Sequence, residues 1–283
     1  MKIAVLGGSG YLGGRVALDL SQKYDVTTVT RRPFVLKNCS NLVVNFNEKF
    51  YNDLIGFDVI VNCIGGNRND IEVNPKSAAD LKQSLITNLC FLSEIKKIFL
   101  LHVSSKHVYS ILKQNDTRNL YALSHLNTER ILEEKFSTAI GSSYQVLRLA
   151  NCFGVPATQS SEFSRLFLNQ VIIGILKDND DIRVRNPKII SSFVPLCVVS
   201  SYLKEIFLNP FLIEERILDL GMPYSFYLGD AEKIIRGIFS DSQQINNRLI
   251  INSLYGQNFI EKFPHYADIS FFNSEVTAFK FKT

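Results

Sequence analysis

Metal-ligand spacing is missing from this chain. Cys39, Cys63, Cys90, Cys152 and Cys197 are odd in number and scattered, with no C-x-x-C pair, and the four histidines are equally dispersed. No metal site is expected, and cysteines set inside apolar runs are expected to be reduced, buried thiols rather than disulfides. Concentrated charge is missing too. The formal net charge of +4 is spread along the sequence, with no basic tail or arginine stripe, which argues against a nucleic-acid partner. Long apolar runs are absent: Phe163 to Leu176 is interrupted by Ser164, Arg165, Asn169 and Gln170, short of the ~20 apolar residues of a membrane span. Met1 to Leu6 carries a strand pattern, not a charged leader before an apolar core. A soluble cytoplasmic protein with no membrane partner is expected. There is no tryptophan, no internal repeat and no low-complexity tract. What remains is ordinary: 46% hydrophobic and 20% charged residues over 283 positions suit one large α/β domain, or such a domain with a smaller lobe.

What is present is concentrated at the N-terminus. Ile3 to Leu6 reads as a buried parallel strand that stops abruptly in Gly7-Gly8-Ser9-Gly10-Tyr11-Leu12-Gly13-Gly14, and the apolar-periodic Val16, Ala17 and Leu20 follow. That is strand, tight turn, helix. Gly7 suits the turn, Gly10 lets a pyrophosphate approach the backbone, and Gly13 lets the helix lie close on the strand. The helix N-terminus then offers free N–H groups and a positive dipole end to phosphates. Val26 to Thr30, rich in β-branched residues, is the second strand. Dinucleotide folds place a carboxylate near its end for the ribose 2′-hydroxyl. Here Arg31 and Arg32 stand there, which suits a 2′-phosphate and favours NADP over NAD; two solvated loop arginines are the plain alternative.

The spacing Gly7-x-x-Gly10-x-x-Gly13 resembles the short-chain dehydrogenase/reductase superfamily, in particular its extended branch of nucleotide-sugar epimerases, dehydratases and reductases. The resemblance continues to about residue 240. It implies a Rossmann-type doubly wound parallel sheet (residues 1–155) with a smaller C-terminal α/β substrate lobe (156–283). Leu42 to Phe46 is expected as the third strand, and Asp58 to Ile64 as a fourth that ends in Gly65-Gly66. Tyr11, Leu12, Cys63, Ile64 and Gly65 join the glycines as candidate cofactor contacts. Asn74-Pro75 opens a helix carrying Ala78, Leu81, Leu85, Leu89 and Leu92. Asn88 within it either steadies the active-site region, as in the family, or is a plain polar helix residue.

Phe99 to Val103 is the fifth strand and runs into Ser104-Ser105-Lys106-His107-Val108-Tyr109. Ser105 takes the place of the family serine that hydrogen-bonds the reacting oxygen. Sixteen residues after Ser105, Tyr121-Ala-Leu-Ser-His125-Leu-Asn-Thr-Glu129 resembles Tyr-x-x-Ser-Lys-x-x-x-Glu, with His125 where the lysine belongs. A literal Tyr-x-x-x-Lys at Tyr109 to Lys113 is set aside, because Tyr109 still belongs to the strand exit. Tyr144 to Leu149, the sixth strand, leads into Asn151-Cys-Phe-Gly154-Val-Pro156, similar to the family loop whose asparagine contacts a substrate diphosphate. A helix from Glu162 to Leu176 and a short strand Ile182 to Arg185 are expected next. Ser191-Ser192-Phe193-Val194 echoes a family Arg-Asp-Phe-Val stretch without its phosphate-gripping arginine. Arg183, Arg185 or Lys188 either replaces that arginine or is simply solvated. Leu218 to Gly221 and Leu228 to Phe239 match a late strand and helix; the last forty residues carry no legible motif.

In the family, tyrosine is the acid or base at a carbonyl/hydroxyl carbon, serine stabilises the oxygen, and lysine supplies positive charge. His125 can supply that charge only as imidazolium, below roughly pH 6.5 unless a neighbour raises its pKa. Reduction needs tyrosine in its neutral form and suffers least from the substitution. A dehydratase needs an Asp-Glu pair where Lys106-His107 stands. The resemblance thus implies an NADPH-dependent reductase, or an epimerase, acting on a small-molecule nucleotide-linked keto-sugar, with NAD as the other possible cofactor. The competing reading is a non-catalytic cofactor-binding member acting as a sensor or subunit. A homodimer is implied, paired through the Pro75 to Ile95 and Leu120 to Phe136 helices.

Overall fold

The computed structural model describes residues 1–45, 50–65, 68–137, 144–157, 166–176, 186–213, 215–222, 224–239, 251–252, 265 and 270–277. Strands are β1 (Lys2–Leu6), β2 (Asp25–Thr30), β3 (Ser40–Val43), β4 (Val59–Asn62), β5 (Phe99–Ser105), β6 (Tyr144–Leu149), β7 (Asn151–Phe153), β8 (Ile190–Pro195), β9 (Ile217–Leu220), β10 (Tyr224–Tyr227) and β11 (Ile251–Asn252). Helices are α1 (Tyr11–Leu20), α2 (Arg68–Val73), α3 (Pro75–Lys96), α4 (Tyr109–Leu112), α5 (Leu120–Phe136), α6 (Phe167–Leu176), α7 (Leu196–Ile206), α8 (Leu228–Phe239) and α9 (Ser270–Thr277).

Strand alternation organises the large layer. Ile3, Val5, Val59, Val61, Phe99, Leu101 and Leu147 pack on one side with Val16, Ala17 and Leu20 of α1 and Val198, Val199 and Leu203 of α7. Ala4, Leu6, Ile60, Leu100 and Val146 face the other way, onto Leu85, Ile86 and Leu89 of α3 and Leu132 and Phe136 of α5. Strands apolar on both faces must be covered on both, which is why they read as continuous apolar runs. The seven strands lie in the order β3-β2-β1-β4-β5-β6-β9, every pair parallel. This is the doubly wound Rossmann arrangement. A smaller sheet, β11-β10-β8-β7, pairs β7 with β8 in parallel and is otherwise antiparallel. Residues beyond 155 return to the large layer as α7 and β9.

Several expected boundaries shift. β3 begins at Ser40 and ends at Val43, two residues ahead of the apolar stretch that marked it. Asn74 does stand at the N-cap of α3, with Pro75 in its first turn, but its side chain makes no capping bond. Leu81 turns outward, 48% exposed, because the buried stripe of α3 runs through Lys82, Leu85, Ile86 and Leu89. The helix expected from Glu162 is described from Phe167. The short strand at 182–185 lies outside the described residues. The five cysteines are all free thiols, no described helix is long and apolar enough to cross a membrane, and the described residues hold no metal-ligand cluster.

Candidate active site

The glycine turn forms as its sequence requires. Gly7 has φ +80° and accepts at its carbonyl from Gly10 N–H, 2.9 Å. A Cβ on Gly13 would overlap that same carbonyl, so the close approach of α1 to the turn permits no side chain there. Gly10 caps α1 without a side-chain bond, and the first helical turn holds no acid. Its N–H groups and positive dipole end therefore remain available to an anion. The turn packs on the exit of β4: a Cβ on Gly7 would lie 3.3 Å from both the Cys63 carbonyl and the Ile64 side chain.

A cleft of about 840 Å³ opens where these strands end. It brings together Tyr11, Leu12, Cys63 and Gly65 with Ser105, Tyr121, His125 and Asn151, residues from five elements or loops of the chain. Gly7, Gly10, Gly13 and Ile64 form the turn and loop beneath one end. Arg31 and Arg32 are exposed just beyond the end of β2 and are not among the described residues of the cleft wall. Asn88 hydrogen-bonds Tyr51 and is not in the wall. Arg183 and Arg185 fall outside the described residues. Tyr109 is occupied elsewhere: its hydroxyl donates to Asp219 Oδ2 at 2.5 Å, and the Lys113 ammonium lies over its ring. Tyr109 opens α4 and does not belong to the strand exit, since β5 ends at Ser105.

Tyr121 stands between two imidazoles. Its ring centroid is 4.7 Å from His125 and 5.7 Å from His107, both edge-to-face. Ser105 Oγ accepts from His107 N–H at 3.3 Å, which caps the turn between β5 and α4. Asn119, also in the wall, caps α5 by accepting from Ala122 N–H, 3.1 Å, and so fixes the first turn that carries Tyr121.

The condition under which His125 could serve as imidazolium, a neighbour that raises its pKa, is not met. His125 is 3% exposed, and neither ring nitrogen has a hydrogen-bond partner among the described residues. Its pKa is held well below the usual histidine range, first by burial and then by the nearby Lys82, His102 and His107. His125 is neutral, one donor and one acceptor against the wall at Gly65, where a Cβ would lie 3.4 Å from its Cε1.

The cations lie behind the wall, and sequence reasoning missed one of them. Lys82 of α3 is 7% exposed and donates to Ser124 Oγ at 3.0 Å, one helical turn from Tyr121; burial lowers its pKa to about 8. Its signal was a lysine in register with Leu85, Ile86 and Leu89 on an apolar stripe. Beside it, His102 is hydrogen-bonded to Asn62 at 3.1 Å, with its pKa lowered to about 3 by burial and by Lys82. Lys106, noted only for its neighbourhood to Ser105, donates to the Ser192 carbonyl (2.9 Å) and Ser191 Oγ (3.2 Å). The buried acids are taken elsewhere. Glu129 binds Arg148 through a 2.7 Å bond and also accepts from Ser104, while Glu275 binds Arg15 at 2.8 Å. Among the described residues the cleft wall contains no aspartate or glutamate.

Residues 3–188 match the NAD dependent epimerase/dehydratase family. No curated protein matches the chain. Among solved structures, a UDP-N-acetylglucosamine 4-epimerase from Methanobrevibacter ruminantium M1, in complex with UDP-N-acetylmuramic acid, superposes with a TM-score of 0.75 at 15% identity, over 97% of this chain and 95% of that one. A UDP-N-acetylglucosamine 4-epimerase from Bacillus cereus gives 0.71 at 18% identity, over 98% and 94%. The Bordetella bronchiseptica enzyme WbmF, in complex with NAD+, gives 0.74 at 12% identity, over 97% and 90%. At these identities the likeness is one of fold.

Proposed function

The chain belongs to the NAD-dependent epimerase/dehydratase family, and on that premise we propose that it is an oxidoreductase acting at a carbonyl or hydroxyl carbon of a nucleotide-linked sugar, reduction being favoured over epimerisation. The observation that carries this reading is the meeting of Ser105 and Tyr121 in one cleft with the wall at Tyr11, Leu12 and Gly65. The residues fit a nicotinamide dinucleotide: the side-chain-free N-terminus of α1 suits its pyrophosphate, and the two orphaned nitrogens of His125 suit a group that both gives and accepts hydrogen bonds. When bound, the nicotinamide gives or takes a hydride. Tyr121 carries the proton to or from the substrate oxygen, and Ser105 Oγ holds that oxygen. Neutral His125 orients the cofactor rather than charging the site; Lys82 supplies the charge.

Arg31 and Arg32, exposed at the end of β2, support NADP over NAD. The neighbours found in complex with UDP-N-acetylmuramic acid and with NAD+ support the substrate class and the cofactor class respectively. Residues 1–155 furnish the cofactor side together with the reacting Ser105 and Tyr121, and residues 156–283 furnish the smaller substrate lobe apart from α7 and β9, which pack in the large layer. A reduced thiol set and the lack of any membrane-spanning helix among the described residues support a cytoplasmic setting.

The test is reduction of a panel of nucleotide-linked keto-sugars with NADPH and NADH. Tyr121→Phe is expected to abolish turnover while leaving NADPH binding within about twofold, since the ring still packs but the proton is gone. Unchanged turnover in Tyr121→Phe would overturn the catalytic reading. A second reading, a cofactor-binding member without chemistry, is favoured by one observation: no cation follows Tyr121 on its own helix face, His125 being neutral. Cofactor binding without turnover of any member of the panel would establish it.

A further inference from the structure

Lys82 is a cation that the fold buries beside the helix of the reacting tyrosine. From the inner stripe of α3 it donates to Ser124 Oγ at 3.0 Å, and no carboxylate pairs with it among the described residues. Ser124 lies three residues after Tyr121 and one before His125, so the ammonium meets α5 close to both. Around it stand imidazoles rather than acids. His125 on α5 and His102 on β5 are almost fully buried, and both nitrogens of His125 and Nε2 of His102 lack a hydrogen-bond partner among the described residues. An unpaired buried ammonium costs stability, and features that break the rules of a packed core gather at functional sites. Its field also has a direction. Lys82 lowers the pKa of His125 and of His102, disfavouring a proton on either ring. The Tyr121 ring lies on that same His125 ring, centroids 4.7 Å apart. A positive charge felt at His125 is felt at Tyr121, where it favours the phenolate.

We propose that Lys82 is a positioning residue of the reaction: held by Ser124, it sets positive charge behind Tyr121 from α3 and makes the Tyr121 hydroxyl a readier proton donor to the substrate oxygen. In that step the Tyr121 O–H bond breaks and an O–H bond to the substrate oxygen forms. The electron pair of the broken bond stays on the phenolate, whose charge the ammonium stabilises, and Lys82 keeps its own protons. The inference rests on the oxidoreductase reading and deepens it. The charge that α5 lacks, with neutral His125 one turn after its tyrosine, comes from the neighbouring helix.

The protonation of Lys82 supplies a readout that a merely structural residue would not move. Burial lowers its pKa to about 8, so the ammonium is present below about pH 8 and is lost as pH rises through it. Its help to Tyr121 is lost with it. The elements packed on α3 are α2, α5, β5 and the turn Phe50–Leu54. Their titratable groups away from solvent are His125 and Tyr121 on α5, His102 on β5 and Tyr51 in the turn, with Cys90 on α3 itself. Between pH 7 and 9 both histidines are neutral, and burial holds Tyr51 above its ordinary range and the Cys90 thiol up at about 12. Among the described side chains, the other charged residues of these elements are exposed, except Glu129, which Arg148 binds. His107 also meets the Tyr121 ring, centroids 5.7 Å apart, and an inflection of its own would survive the removal of Lys82.

The experiment measures kcat and KM for reduction of the keto-sugar panel by NADPH from about pH 6.5 to 10, together with ζ-13C tyrosine NMR of the protein alone. The Tyr121 signal is the one of eleven that Tyr121→Phe removes. In the wild type, kcat is expected to fall as pH rises through about 8, and the Tyr121 signal to show an inflection at the same pH. Lys82→Met should lower kcat below pH 8 by about tenfold and remove both inflections. KM and NADPH affinity should stay within about twofold, since Lys82 is not among the described residues of the cleft wall, and they also report correct folding. Lys82→Arg should keep activity to pH 10, and its Tyr121 should ionise at lower pH than in Lys82→Met. Adding His125→Lys to Lys82→Met returns a charge to α5, and recovery of kcat there supports a charge rather than a packing role. An unchanged kcat and pH profile in Lys82→Met overturns the inference, and an equal loss in Lys82→Met and Lys82→Arg overturns it in favour of packing. If no sugar of the panel is reduced, the oxidoreductase reading fails and the NMR decides separately. An inflection that Lys82→Met removes then upholds the action of Lys82 on Tyr121, and its absence from the wild type overturns it.

Discussion

The ring of His125 lies edge-to-face on Tyr121, centroids 4.7 Å apart, yet neither of its nitrogens has a hydrogen-bond partner among the described residues. One turn of helix separates the two residues, so the sequence placed them together. The protonation of His125 is set by its surroundings, first by burial and then by Lys82 on α3, His102 on β5 and His107.

Lys82 should lower the stability of the free protein. It is a base whose folded pKa, about 8, lies below its ordinary 10.5. The penalty is complete below about pH 8 and is relieved as pH rises towards the unfolded value. Lys82→Met is therefore expected to raise unfolding free energy at pH 7, by on the order of 3 kcal/mol, and the gain should fade by about pH 10.5. Denaturant unfolding at pH 7, 9 and 10.5 checks it; a gain that persists at pH 10.5 would mean better packing, not a removed charge. Histidine NMR should show no titration of His125 in the ordinary histidine range in the wild type, and a higher His125 pKa in Lys82→Met.

Cofactor preference should reside at the end of β2. NADPH is expected to bind several-fold more tightly than NADH, and Arg31→Ala with Arg32→Ala to equalise the two by weakening NADPH alone. The chain has no tryptophan, so dihydronicotinamide fluorescence reports binding directly. Equal wild-type affinities would assign both arginines to solvent.

The outer face of α3 should hold a homodimer together. Leu81, Phe91 and Ile95 are 48%, 64% and 55% exposed on one side of a helix whose other side is in the core. An apolar stripe of this kind, beyond what the core needs, suits a symmetric helix pair. Light scattering at micromolar concentration is expected to give a dimer mass for the wild type and a monomer mass for Phe91→Glu. A monomeric wild type rejects the pairing.

Glu275 should tie the end of the chain to the cofactor helix. Its buried carboxylate accepts from Arg15 at 2.8 Å, from Val155 N–H at 3.0 Å and from Cys197 N–H at 3.2 Å. Alongside, Tyr11 of the glycine-turn helix donates to the Gly154 carbonyl at 2.8 Å. Removing one partner of a buried pair leaves the other uncompensated, so Glu275→Ala is expected to lower stability by about 3 kcal/mol, and Glu275→Gln by less. Thermal and denaturant unfolding decide; a loss under ~0.5 kcal/mol would show the helix to be dispensable.

The sequence by itself determined the glycine turn, the parallel strands and the serine and tyrosine of the cleft. Each depends on near neighbours: Gly7, Gly10 and Gly13 serve a turn only seven residues long, and Tyr121 and His125 share one helix face. It also marked Asn151, at the end of a run of apolar strand residues. Tertiary structure alone decided the electrostatics. Whether His125 carries a proton depends on its burial and on Lys82, forty-three residues away, and whether Lys106 is free or paired depends on a strand beginning at Ile190. Glu275 reads as an ordinary surface acid until α9 places it between Arg15 and the first turn of α7. Desolvation and pairing are properties of the packed interior, and spacing along the chain does not encode them.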